Sequence, residues 1–207
     1  MKVKSKSVIF YGDSICAGQN FPVHRGWVYR ISENLKDILV SNVSINGRTT
    51  RQALETMPNE IQANPPSVLV IQFGMNDCNY WKTDMGVPRV SKEAFLANLK
   101  EITNRALNAG VETVIVNTNH PTGLDKIMPD TEISYQHSNE EYNILIRRAC
   151  DEMNILTIDM EQEFLKEIER TGQSRLDFLL EDLLHLNQNG HDLYFNTICP
   201  IVKAFLK

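Results

Sequence analysis

A serine, an aspartate and a histidine carry the chemistry open to this chain. Ser14 closes the run Val8-Ile9-Phe10-Tyr11-Gly12-Asp13-Ser14, and Asp182 and His185 stand three residues apart near the far end of 207 residues. An apolar run stopping in Gly-Asp-Ser sets a hydroxyl on the tight turn where a buried strand hands over to a helix. Asp-x-x-His supplies a base and a carboxylate to orient it, because residues three apart on a loop or helical turn can face one another. Together they fit attack by Ser14 Oγ on an acyl carbonyl. His185 takes the hydroxyl proton, while Asp182 fixes the imidazole tautomer and stabilises the imidazolium. Each part alone has a plainer reading. A serine after a strand is commonly the N-cap of the next helix, and Asp/His pairs are routine on surface helices.

The tetrahedral intermediate of acyl transfer needs hydrogen-bond donors aimed at its oxygen, each worth about 10²–10³ in rate. Three are available. The amides of Ser14 and Gly47 belong to expected strand-to-helix turns, and Gly47 has no side chain to block a substrate. Asn76 adds a side-chain N–H. Taken singly, Gly47 also reads as a turn glycine and Asn76-Asp77 as a cap.

Positioning these groups requires a parallel sheet. Apolar, β-branched runs at Ser7–Tyr11, Ile38–Ile45, Val68–Phe73, Val111–Asn117 and Ile155–Ile158 read as strands buried on both faces, and helical stretches alternate with them. Helical stripes comprise Trp27, Val28, Ile31 and Leu35; Ala53, Leu54, Met57 and Ile61; and Leu96, Leu99, Ile102 and Ala106, with Gly110 as C-terminal cap. A further stripe, Tyr142, Leu145, Ile146 and Ala149, is expected to open at Ser138 with Glu141 completing a capping box. After Asn187 a last helix carries Leu193, Tyr194 and Ile198, with Pro200 expected to bend or break it. No repeat or linker interrupts the pattern, so residues 1–207 read as one domain.

In open α/β sheets, ligands bind beyond the carboxyl ends of the strands. The expected strands end in polar clusters, Gly12-Asp13-Ser14, Asn46-Gly47-Arg48, Gly74-Met75-Asn76-Asp77 and Thr118-Asn119-His120-Pro121. Residues far apart in sequence therefore meet along one edge. The blocks Gly12-Asp13-Ser14-Ile15, Asn46-Gly47, Gly74-Met75-Asn76-Asp77 and Asp182-Leu183-Leu184-His185 resemble, in order and spacing, those of the SGNH, or GDSL-like, hydrolase superfamily. The resemblance covers nearly the whole chain. It implies a three-layer α/β/α sandwich on a five-stranded parallel sheet of flavodoxin-like architecture. It also implies Ser14 as nucleophile and oxyanion donor, Gly47 and Asn76 as the other donors, and His185 as base oriented by Asp182. Ile15 replaces the leucine of the usual first block, a change of packing residue outside the chemistry. Asp13 and Asp77 are expected to hold nearby amides.

Other candidates lie at the same edge. His120 follows the fourth strand and is expected to touch substrate, whereas His24, His137 and His191 read as surface or helix-end residues. In the long segment from Cys78 to Pro88, Tyr80 and Trp81 either line an acyl or sugar pocket or clamp the loop to the body. Cys16, Cys78, Cys150 and Cys199 are widely spread and read as free thiols in or near the core. No histidine/carboxylate cluster has metal-ligand spacing, and no cofactor is expected.

Composition narrows the class further. The chain is 42% hydrophobic and 23% charged, with a net charge of −5, and shows no basic stripe of the kind nucleic-acid binding requires. The basic start, Met1 to Ser7, leads into a short apolar run broken by Gly12-Asp13 and reads as a first strand, not an export signal. No apolar stretch approaches the roughly 20 residues that span a bilayer. The expectation is a cytoplasmic serine esterase without cofactor, taking small or short-chain acyl esters such as acetylated sugars, with lysophospholipids also in range. An O-acyltransferase would use the same triad. A non-catalytic flavodoxin-like binding domain would use the same edge, but Gly12–Gly18 lacks the lysine of a P-loop and the glycine spacing of a dinucleotide fingerprint.

Overall fold

The computed structural model describes residues 6–207. The reading of the amino terminus as the approach to a strand therefore lies, for residues 1–5, outside the described residues. Among the described residues, five strands, β1 (Ser7–Gly12), β2 (Leu39–Asn42), β3 (Val68–Gln72), β4 (Thr113–Asn117) and β5 (Leu156–Ile158), form one parallel sheet in the order β2-β1-β3-β4-β5. All five residues of β3 are buried, as a central strand covered on both faces requires. The edge strand β2 is shorter than its apolar run, yet the Val43 and Ile45 amides still donate to the Phe10 and Gly12 carbonyls.

The helices are α1 (Ser14–Ala17), α2 (Trp27–Asn34), α3 (Thr50–Met57), α4 (Lys92–Ala109), α5 (Tyr135–Met153), α6 (Met160–Thr171) and α7 (Gln188–Ala204). Two groups pack internally, α2 and α6 with α7, and α3 and α5 with α4. Right-handed crossovers explain the division, because the chain moves outward from β1 to β2 and then back across to β3, β4 and β5. The switch of direction falls between β1 and β3. There the ends of two adjacent strands diverge and leave a crevice.

Two helix boundaries differ from the sequence reading. Helix α5 begins four residues earlier than expected, capped by Ser134, whose hydroxyl accepts from the His137 amide at 3.1 Å. Ser138 is buried inside the helix and donates to the Cys78 carbonyl at 2.8 Å. A capping box and a polar helix face share the same residue types, so the Ser138/Glu141 spacing misled. Helix α7 continues through Pro200 to Ala204. Both Pro200 and Asn196, the residue whose carbonyl it leaves without a helical donor, are exposed, so water can take that carbonyl.

β1 and β3 pack closely where β1 ends. A Cβ built on Gly12 would stand 2.6 Å from the Gln72 carbonyl oxygen and 2.9 Å from Cys16 Sγ. The first of these belongs to the backbone of β3 and cannot swing aside. Gly12→Ala is expected to destabilise the protein by about 1–3 kcal/mol through overpacking. A lowered urea midpoint at constant m-value would show it, and an unchanged midpoint would contradict it.

Candidate active site

Ser14 is the first residue of α1, and the turn before it is held by Asp13, whose carboxylate accepts from the Ile15 amide at 3.0 Å. Gly18 closes the short helix in the left-handed region, at φ 73°. Ser14 is buried and faces a loop from the other end of the chain. His185 Nε2 lies 3.0 Å from Ser14 Oγ, and His185 Nδ1 lies 2.8 Å from Asp182 Oδ2.

The loop that delivers Asp182 and His185 is tightly folded. Leu183 adopts φ 62°, a conformation costing a branched residue on the order of 1–2 kcal/mol. Its amide donates to the Leu180 carbonyl, and its carbonyl accepts from the Gly123 amide at 2.8 Å. This bend turns the Asp182 carboxylate back onto the following residues. Oδ1 accepts from the Leu184 and His185 amides at 3.0 and 2.9 Å, and the Asn20 side chain donates to Oδ2 at 3.3 Å. Burial pushes the Asp182 carboxyl up, but the hydrogen bonds from His185 and Leu184 outweigh it and hold the group below the usual carboxylate range. An ionised carboxylate only accepts, so Nδ1 carries a proton, and in the neutral ring Nε2 presents its lone pair to the Ser14 hydroxyl.

Gly47 and Asn76 come to the same edge from the ends of β2 and β3. Among the described residues, the backbone N–H groups of Ser14 and Gly47 donate to no protein acceptor. Gly47 sits at φ 77°, and a Cβ placed on it would meet nothing within 4 Å, so backbone conformation, not crowding, calls for glycine there. Its turn is anchored by Arg48, buried and paired with both Glu60 carboxylate oxygens at 2.7 and 3.0 Å. Asp77 ties the Gly47 and Asn76 segments together, because its Oδ1 accepts from the amide and hydroxyl of Thr50, the first residue of α3, at 2.9 and 2.5 Å. Asn76 Nδ2 donates to Asp13 Oδ2 at 3.4 Å. Burial raises the pKa of Asp13 to about 7, with the nearby Asp77 charge adding to the rise, and burial raises that of Asp77 to about 6.

Residues 10–193 match the model of the GDSL-like lipase/acylhydrolase family. The chain belongs to that family. Its sequence is 25% identical over 130 residues to an arylesterase of Vibrio mimicus, covering 61% of each chain, and 25% identical over 121 residues to the esterase TesA of Pseudomonas aeruginosa, covering 56% of each. These matches therefore span less than two thirds of the curated relatives' lengths. Among solved structures, a lipase/acylhydrolase from Enterococcus faecalis superposes with a TM-score of 0.76 at 25% identity, covering 98% of this chain and 97% of that one. Axe2, an acetylxylan esterase from Geobacillus stearothermophilus, gives 0.76 at 20% identity over 97% and 95% of the two chains, a likeness of fold.

Two histidines of this GDSL-like chain do not stand where their sequence positions suggest. His120 is fully buried beneath the Asp182–His185 loop and does not face a substrate. Burial lowers its pKa to about 4, so the ring is neutral; Nε2–H donates to the Leu184 carbonyl at 2.9 Å, and Nδ1 accepts from the Tyr194 hydroxyl at 3.0 Å. Position after a strand gave the right edge but not the depth. His191 is likewise buried, its Nδ1 accepting from the Trp27 amide, whereas His24 and His137 are exposed. Tyr80 packs against the hydrophobic core. Trp81 is half-exposed and lines a groove of about 240 Å³ with Thr49, Arg51, Gln52, Asp84 and Arg89. Asn20 and Arg89 escaped the sequence reading, because lone polar residues in loops carry no spacing pattern.

The buried Asp13 carboxyl makes a prediction about pH. Its folded-state pKa, about 7, lies above its unfolded value, so the folded protein binds the extra proton and the stability this contributes is present below about pH 4. It is lost as pH rises towards 7. Asp13→Asn keeps an acceptor for Ile15 and removes the titration, so its unfolding free energy is expected to fall less than wild type's between pH 4 and 7. Parallel slopes in urea titrations across that range would refute this.

Proposed function

We propose that this chain is a carboxylic ester hydrolase acting through an acyl-enzyme on Ser14. The observation carrying the reading is the continuous hydrogen-bonded chain from Ser14 Oγ through His185 to Asp182, drawn from opposite ends of the sequence. Family membership and the esterase and acylhydrolase relatives support the same class of chemistry.

Ser14 Oγ attacks the ester carbonyl as its proton passes to His185 Nε2, and the carbonyl oxygen becomes an anion. The Ser14 and Gly47 amides and Asn76 Nδ2 are the donors for that anion, which is why two of them lack protein acceptors. Imidazolium then protonates the departing alcohol. Water enters, His185 removes its proton, and the acid leaves with Ser14 restored.

Two cavities touch the loops that carry the site, one at the oxyanion donor Gly47 and one at Leu183 between Asp182 and His185, and these are the candidates for the two halves of an ester. Gly47 lines a cavity of about 360 Å³ with Ile45, Asn46, Gln52 and Thr56 among its walls, and Leu183 lines one of about 400 Å³ with Gly123 and Leu124. Both are near the lower end of ligand-site volumes, about 300–1,000 Å³, which favours a short acyl group and a compact alcohol, as in an acetylated sugar.

Ser14→Ala is expected to abolish nearly all turnover of p-nitrophenyl acetate while leaving the thermal midpoint close to wild type. Retained turnover would overturn the mechanism. Chromatography of the products with and without an added sugar should find free acid in both; acyl-sugar replacing the acid would make the enzyme an acyltransferase. For Asn76→Ala, kcat should fall by about 10²-fold with little change in KM, because its donor acts on charge that develops only in the transition state. A rise in KM alone would make Asn76 a ground-state contact.

A further inference from the structure

Arg89 lies outside every motif described above, yet it touches two of the three oxyanion-hole residues. Its Nη1 donates to the Gly47 carbonyl at 3.1 Å and to Asn76 Oδ1 at 3.3 Å, joining the turn after β2 to the turn after β3. The guanidinium stacks on Trp81, with Cζ 4.1 Å from the ring centroid, and it makes no ion pair within 4 Å among the described residues. Its own segment is pinned by Arg89 N–H donating to the Asn79 carbonyl at 2.9 Å and by Val90 N–H donating to the Asp77 carbonyl.

Resting on the hydrolase reading above, we propose that Arg89 is a positioning residue of the oxyanion hole, dictating which way the Asn76 amide points and holding the Gly47 turn beside it. The amide of an asparagine can face either way unless its neighbours decide. An arginine has donors only, so the Asn76 atom facing Arg89 is the carbonyl oxygen. Nδ2 must then turn to the opposite side, towards Asp13 and the site of the developing anion. Asp13 cannot enforce this by itself, since a protonated carboxyl can donate as well as accept. Arg89 accepts nothing at any pH.

One nitrogen serves both contacts through its two hydrogens, so a single rigid fork sets the spacing of Gly47 and Asn76. The stack on Trp81 keeps the plane of that fork from rotating. This gives Trp81 a role that its sequence position left open: it holds a guanidinium in place at the wall of the groove.

The test compares wild type, Arg89→Met, Asn76→Ala and the double variant with p-nitrophenyl acetate, with thermal midpoints measured alongside. Arg89→Met is expected to lower kcat by about tenfold or more while KM stays within about twofold, the mark of a group acting on the transition state. Because Arg89 works through Asn76, the double variant should lose far less than the product of the two single losses. Multiplicative losses, or a raised KM at unchanged kcat, would overturn the proposal, the latter making Arg89 a substrate anchor. Arg89→Lys provides a second reading if the methionine variant fails to fold. A lysine lacks the planar fork, so kcat should fall between wild type and Asn76→Ala, and full activity would overturn the proposal. Wild type without Ser14-dependent turnover would instead bring down the hydrolase reading, and this proposal with it.

Discussion

The constraint behind the whole site is that parallel strands must turn at one level without leaving buried backbone groups unpaired. The loops leaving β3 and β4 cannot satisfy one another, and much of the task falls to one face of α5. Tyr135 donates to the Met75 carbonyl, Ser138 to Cys78, Asn139 to His120, and Asn143 both donates to and accepts from Asn119. These side chains are buried at a cost that only hydrogen bonding offsets. The carboxyl edge is therefore rigid before any catalytic group is placed on it, and Asn76 and His120 inherit fixed positions from a helix neither belongs to.

The carboxylates at this edge divide into two kinds. Asp182 is partly exposed and surrounded by donors from its own loop, which keep it charged against a histidine. Asp13 and Asp77 are buried beneath Ser14 and Asn76, and burial raises both. Their work is geometric. Asp13 shapes the turn that lifts Ser14, and Asp77 binds the start of α3 to the end of β3. Residues of one chemical type thus act as electrostatic partner in one place and as brace in another, and solvent access draws the line between the roles.

Much of this arrangement was legible from residue order. Apolar runs marked all five strands, but burial on both faces holds only for the strands inside the sheet: edge strand β2 has no buried residue, and in β5 only Ile158 is buried, because an edge is covered less than the centre. Gly-Asp-Ser, Asn-Gly, Gly-Met-Asn-Asp and Asp-x-x-His marked strand ends and one loop. Three of the errors share a cause. Ser138, His120 and His191 are polar, and a one-dimensional reading sends polar residues to caps, surfaces and substrate contacts. In the folded chain each is buried against a carbonyl or an amide belonging to a distant segment. Periodicity reports which way a residue faces along its own element. It does not report what waits there.

By itself the sequence determined the parallel α/β class, the edge at which chemistry would gather and the residue types able to perform it, since hydrophobic period and turn composition act locally. Tertiary structure decided which polar groups work at the surface of that edge and which beneath it. The 3.0 Å contact between Ser14 and His185, the left-handed bend at Leu183, the neutral His120 under the loop and the Arg89 fork behind Gly47 and Asn76 all depend on segments far apart in the chain. Such contacts follow from strand order and crossover handedness, and no local pattern of residues encodes them.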